Sequence, residues 1–166
     1  MWMDLLGLWS PAAHDTIFKY AFSDLLSHAD IDRLQQSSRA FDRRTQSAEQ
    51  SYLHSMRQRD ESVVDALGLR DKFIVDTLVE ARRLARSGER NAALDKLGEA
   101  CHPIQDSSSP MHTTPNNDPR EWNPLWPFGH SPDEHIGKET VKDLTPEILI
   151  RQKVLLNNLY DEVFGP

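Results

Sequence analysis

Imidazoles and carboxylates recur along this 166-residue chain at spacings that suit metal-assisted chemistry. His102 and Asp106 are four residues apart, so on a helix both side chains face one way and can share a cation. His112 follows beyond Pro110, where the chain has left the helix and can fold back. His130 and Glu134 repeat the four-residue spacing, and His135 and Glu139 form a competing pair one turn on. Upstream stand His14 at the head of a first helix, Asp42 at the end of a second and His54 on a third. Each residue also has a plain structural reading. Ser131-Pro132-Asp133-Glu134 is a capping box with proline in the first turn; His14 suits a helix start, Asp42 a helix end, and His54 a surface. Nitrogen and carboxylate donors without thiolates suit zinc in a hydrolytic role, or manganese or iron.

The elements that must position these groups read as helices. Ile17, Phe18, Ala21, Phe22, Leu25 and Leu26 step by three and four, predicting a helix from His14 to His28, with His28 as a helix-end cation. Ile31–Phe41 and Gln46–Arg57 predict two further segments. A stripe from Phe73 to Ala85 stops at Ser87-Gly88, and Ala92–Cys101 opens the next helix, with Pro103 as an expected kink. A last helix, entered through Thr145-Pro146-Glu147, carries Ile148 to Val163. No run of alternating strands and no internal repeat is present, so the expected class is all-α, a compact helical bundle.

Ser107–Gly129 breaks the pattern with five prolines and the aromatics Trp122, Trp126 and Phe128. A long loop that spends three large rings is expected to pack on the body or wall a site. The composition, 38% hydrophobic and 27% charged, is that of a folded domain. No apolar run reaches the length of a membrane span, and the start Met1-Trp2-Met3-Asp4 lacks the features of a signal peptide. Cys101 is the one cysteine, which excludes an internal disulfide and a Cys-rich zinc ribbon; it reads as a small core residue. A net charge of −7 disfavours a broad electrostatic grip on nucleic acid, although Arg39, Arg43, Arg44, Arg57 and Arg59 stand near Asp42 and His54, as phosphate contacts or a solvated face.

Taken together, His14, Asp42, His54, His102-x-x-x-Asp106-x-x-x-x-x-His112 and His130-x-x-x-Glu134 resemble the ligand order of the zinc-dependent phospholipase C and single-strand nuclease superfamily. The segment Leu97–His112, with Gln105 before the acid and Pro110 before the histidine, is the specific part. The resemblance implies an all-helical fold around up to three zinc ions. It assigns Asp42, His54, His102 and Asp106 to one ion. Asp106 bridges to a second, held also by His14 and an N-terminal tryptophan, and His112, His130 and Glu134 hold the third. By the same resemblance His130/Glu134 is preferred to His135/Glu139.

The tryptophan would be Trp9, which is internal. Asp4-Leu5-Leu6-Gly7-Leu8 resembles the Asp-Pro-x-Gly-Leu junction at which Rhs-type polymorphic toxins release a C-terminal toxin, with Leu5 where that pattern has proline. This implies residues 1–8 as a junction remnant and 9–166 as one hydrolase domain. It also implies a parent Rhs cage, delivery as a secreted effector into a target cell, and a cognate immunity protein. Cleavage after Leu8 would give Trp9 the free amine the metal needs.

The expected activity is phosphodiester hydrolysis through activated water, with Asp42 as the catalytic carboxylate and Glu134 as its rival. Membrane phospholipid is the favoured substrate, from the acidic charge and because the resemblance implies aspartate at the Glu134 position in the nuclease branch; nucleic acid is the alternative, because the Trp9-to-His14 spacing resembles that branch. Trp122, Trp126 and Phe128 would meet a bilayer interface in the first case and stack on bases in the second. A non-catalytic, metal-stabilised binding domain is the third reading.

Overall fold

Ser10 accepts the backbone N–H of Ala13, and Pro11 fills a first-turn position where no N–H is needed, so a helix begins there. The structure, a computed structural model, describes residues 10–122 and 140–166. Five α-helices occupy most of them: α1 Pro11–Phe22, α2 His28–Arg44, α3 Val63–Arg86, α4 Arg90–Asp106 and α5 Pro146–Phe164. Two 3-10 helices, Ala48–His54 and Val141–Asp143, complete the set, and no strand forms among the described residues. The all-α class is thus observed.

Several boundaries differ from expectation. α1 stops at Phe22, and Ser27 caps a new helix by accepting the N–H of Asp30. His28 therefore opens α2 instead of closing α1, at the end of the helix dipole that disfavours a cation. α3 begins at Val63 rather than near Phe73, because Ser62 accepts the N–H of Asp65 and starts it earlier. It closes at Gly88, whose φ of 82° a residue with a side chain would resist. The segment with His54 is a short 3-10 helix, and Ser55 reverses the chain after it with φ 54°.

α4 is the central element: it packs against α2, α3 and α5 and also touches α1 and the Ala48–His54 helix. Leu94, Leu97 and Cys101 of α4 join Ile17, Phe18, Phe22, Leu34 and Leu156 in one buried apolar cluster. Cys101 is fully buried, as expected of a core residue, and burial pushes its thiol pKa up. Pro103 lies inside α4 without ending it. Gly98 lets α4 approach α2 closely, since a Cβ there would lie 2.8 Å from the Leu34 carbonyl oxygen and 3.0 Å from Ser37 Cβ. No described helix is long and apolar enough to cross a membrane.

Candidate metal centre

The apolar cluster ends where α4 does, and polar groups from five segments take its place. α1 brings His14, α2 brings Ser38 and Asp42, the first 3-10 helix brings His54, α4 brings His102, Gln105 and Asp106, and the following turn brings His112. That turn folds back because Ser109 N–H closes on the Asp106 carbonyl at 2.9 Å and His112 N–H on the Ser109 carbonyl at 3.1 Å. His54, His102, Asp106 and His112 are fully buried, His14 is nearly so, and the Asp42 side chain is 15% exposed.

Four donor atoms converge. His54 Nδ1 and His102 Nε2 are 3.1 Å apart, and Asp106 Oδ2 is 3.1 Å from the first and 3.2 Å from the second. Asp42 Oδ1 closes the group at 3.8 and 3.6 Å from the same two nitrogens. Donors roughly 2.0–2.1 Å from a tetrahedral zinc lie roughly 3.3–3.4 Å from one another, which is the scale of this group. Beside it, His14 Nε2 and Asp106 Oδ1 meet at 3.3 Å, each facing the other.

Hydrogen bonds on the outer side of each ring say where its proton lies. His54 Nε2 is 2.9 Å from the Thr45 carbonyl, which can only accept, while the Thr45 hydroxyl donates to the Phe41 carbonyl. Nε2 must then carry the proton, and the Nδ1 lone pair points into the cluster. His112 Nδ1 donates to the His54 carbonyl at 2.6 Å, and His14 Nδ1 faces Gln105 Oε1 at 2.5 Å. His102 Nδ1 meets the Ser38 hydroxyl at 3.1 Å. Outer partners of this kind fix the tautomer of metal-binding histidines. While the rings of His54 and His102 are neutral, at most one proton, on His102 Nε2, can lie among four electron-rich atoms. A cation satisfies them all. The buried groups of His14, His54, His102 and Asp106, with the partly buried Asp42, could therefore hold a metal ion.

The charges respond accordingly. Burial works against the Asp106 carboxylate, but His102 and His112 outweigh it and hold the carboxyl well below its usual range. Burial also opposes a proton on His14, yet the Asp106 and Asp42 charges raise its pKa. At His102 burial prevails and the pKa is lowered.

The walls are aromatic. The His102 ring stacks on His14 with centroids 4.6 Å apart and meets Phe41 edge-on, and Phe41 stacks on Phe73. Trp122 lies 5.8 Å from the His54 ring and packs on Met56. Backbone bonds between Arg57 and both Arg120 and Trp122 hold it there. At 5% exposure, this indole braces His54 rather than presenting a face to a bilayer or a base.

Of the expected site residues, His14, Asp42, His54, His102, Asp106 and His112 come together. Trp9, His130, Glu134, the rival pair His135 and Glu139, Trp126 and Phe128 lie outside the described residues. The arginines are largely spoken for: Arg39 pairs with Asp15, Arg44 with Glu99 at 2.6 Å and Arg57 with Glu121 at 3.0 Å, leaving Arg43 and Arg59 exposed. Four residues with no expected role orient the donors: Ser38, Thr45, Gln46 and Gln105. A signal existed for Ser38 and Gln46, which flank Asp42 at four residues on either side. Comparison with family models, curated proteins and solved structures gave no match to this chain.

Proposed function

We propose that the chain is a zinc-dependent phosphodiester hydrolase, a phospholipase C-like toxin effector acting on membrane phospholipids. The observation that carries this reading is the convergence of Asp42 Oδ1, His54 Nδ1, His102 Nε2 and Asp106 Oδ2 at spacings of 3.1–3.8 Å. Those four residues would hold one ion, and His14 with Asp106 Oδ1 would contribute to a second. His112 Nε2, with His130 and Glu134, would serve a third. Zinc bound at such a centre supplies Lewis acidity, easing loss of a proton from water and neutralising charge on phosphoryl oxygens.

The chain's own groups divide the remaining work. Among the described donors Asp42 is nearest solvent, and Gln46 Nε2 holds its Oδ1 at 2.7 Å. Its other oxygen is the proposed proton acceptor from water, with Glu134 as the rival carboxylate. Phe41, Phe73 and Trp122 keep bulk water from the histidines, which strengthens every charge interaction within. Trp126 and Phe128 are the remaining candidates for contact with a lipid surface. A free amine on Trp9, after cleavage at the Leu8–Trp9 bond, would complete the ion shared by His14 and Asp106. Protein starting at Trp9 should then hold more metal than protein starting at Met1. In this reading the parent Rhs chain delivers the domain, and an immunity protein blocks it.

A nuclease toxin is the second reading, favoured by the resemblance of the Trp9-to-His14 spacing to the nuclease branch of that superfamily. One zinc-loaded sample decides, assayed on phosphatidylcholine and phosphatidylethanolamine vesicles beside single-stranded DNA and RNA. Diacylglycerol release is expected. Nucleotide release would select the nuclease, and neither product would leave a metal-stabilised binding domain.

A further inference from the structure

Among the outer partners of the four histidines, one is neither a backbone carbonyl nor a hydroxyl. Gln105 is fully buried in the last turn of α4, and its Oε1 lies 2.5 Å from His14 Nδ1, a contact across 91 positions of sequence. A carbonyl oxygen accepts only, so this contact keeps a proton on Nδ1 whatever the state of the other nitrogen. The other nitrogen, Nε2, is the one that faces Asp106 Oδ1 at 3.3 Å. We infer that Gln105 is a positioning residue: by accepting the Nδ1 proton of His14, it reserves Nε2 of that ring for a cation shared with Asp106.

The geometry makes the choice consequential. Gln105 sits between His102 and His112 in sequence, immediately before Asp106, so one turn of helix carries both the acid and the group that orients its partner ring. The ring itself cannot turn freely, being stacked on His102 at 4.6 Å. With no acceptor at Nδ1, the neutral ring would move its proton to Nε2 and donate to Asp106 Oδ1, filling the position a cation needs. A glutamate at 105 keeps an acceptor in place; a methionine of similar length does not. The inference rests on reading the buried cluster as a metal centre, but not on which diester is cut.

The test reads the ring directly. Metal-free, 15N-labelled protein is examined by long-range proton–nitrogen correlation at a pH well above the titration of His14. Wild type and Gln105→Glu are expected to hold His14 as the Nδ1–H tautomer, and Gln105→Met as Nε2–H or a mixture. Cobalt titration on the same proteins, each starting at Trp9, should show Gln105→Met losing one ion or binding it about 10–100-fold more weakly, while Gln105→Glu retains it. An Nε2–H ring in the wild type overturns the inference, as does a Gln105→Met protein with wild-type tautomer and cobalt content. Gln105→Glu impaired as deeply as Gln105→Met overturns it too. If Gln105→Met does not fold, the wild-type and Gln105→Glu tautomers decide. A wild type that binds no cobalt sinks the metal centre and this inference together. A wild type that binds cobalt as expected yet cleaves neither lipid nor nucleic acid sinks only the hydrolase reading.

Discussion

His54 and His102 meet edge to face with Nδ1 and Nε2 only 3.1 Å apart, although the outer nitrogen of His54 already carries its proton for the Thr45 carbonyl. Two ring nitrogens at that separation require either a proton, carried on His102 Nε2, or another cation between them. Asp106 Oδ2, 3.1 and 3.2 Å from the pair, adds a third electron-rich atom and sharpens the requirement. The fold therefore spends core volume on an arrangement that could hold a cation.

Zinc should accordingly stabilise the protein. At a free concentration about 100 times its Kd, a ligand that binds only the folded state adds about 2.7 kcal/mol. For a chain of this size that raises Tm by roughly 5–10 °C. Calorimetry with zinc and then with a chelator measures it, and His54→Ala should remove the increment. An unchanged Tm in the wild type would contradict the metal centre.

Asp42 is the ligand to change when the question is chemistry. Its side chain is partly exposed, and its Oδ1 is held by Gln46, so Asp42→Asn should fold without repacking the core. Loss of a proton acceptor should lower kcat by about 10²–10⁴. A glutamine side chain can turn to match the new amide, which keeps the geometry close. Turnover and zinc content both equal to wild type would remove Asp42 from the mechanism.

The pH dependence follows from three shifted groups. Asp106 has its folded pKa depressed below the usual 3.8, so its contribution is present above that pH and is lost as pH falls through the depressed value. His14 is raised above 6.5, so it stabilises below that pH and loses its effect as pH rises through the raised value. His102 is lowered from 6.5 and acts in the opposite sense, so the two rings offset each other near neutrality. Urea melts of metal-free protein should show stability falling at acid pH, below the ordinary carboxylate range. An ion shared by His14 and Asp106 must displace the proton on His14, so its affinity should rise with pH until the raised pKa of His14 is passed, by up to about tenfold per unit for one proton. Calorimetric zinc titrations at several pH values check this, and a flat profile would contradict it.

What could be read from the sequence divides along one physical line. Local spacing encodes what one helix does: Thr145-Pro146-Glu147 opens α5 as expected, and His102 with Asp106 shares a face of α4. The start of α3 is less legible, because its first turns carry Val64 and Leu69 at exposed positions and Gly68 between them, so the apolar stripe does not begin with the helix. The cap at Ser62 was the better signal. Contacts between helices have no local code. Thr45 beneath His54, Ser38 behind His102 and Gln105 behind His14 each depend on how elements pack, and so does the pairing of Arg39 with Asp15 that withdraws an arginine from substrate.

Two helical glycines should respond to alanine with opposite signs. Gly68 lies inside α3 with nothing within 4 Å of a Cβ built on it. Alanine there should stabilise by about 0.8–1.0 kcal/mol, the usual helix-propensity difference. Gly98 lies inside α4, where the same Cβ would meet the Leu34 carbonyl oxygen at 2.8 Å and Ser37 Cβ at 3.0 Å. Both neighbours belong to the α2 backbone or its first side-chain atom, so the helices must part to admit the methyl group. Overpacking of this kind costs about 1–3 kcal/mol, enough to outweigh the propensity gain. The parting also reaches the metal centre. Gly98 is one turn before His102, and Ser37 precedes Ser38, whose hydroxyl is 3.1 Å from His102 Nδ1. Gly98→Ala should therefore lower Tm and weaken zinc binding together, while Gly68→Ala raises Tm and leaves zinc binding alone. Denaturation with and without zinc separates the two effects. A Gly98→Ala protein as stable as wild type, with unchanged zinc affinity, would mean that the approach of α4 to α2 does not set the position of His102.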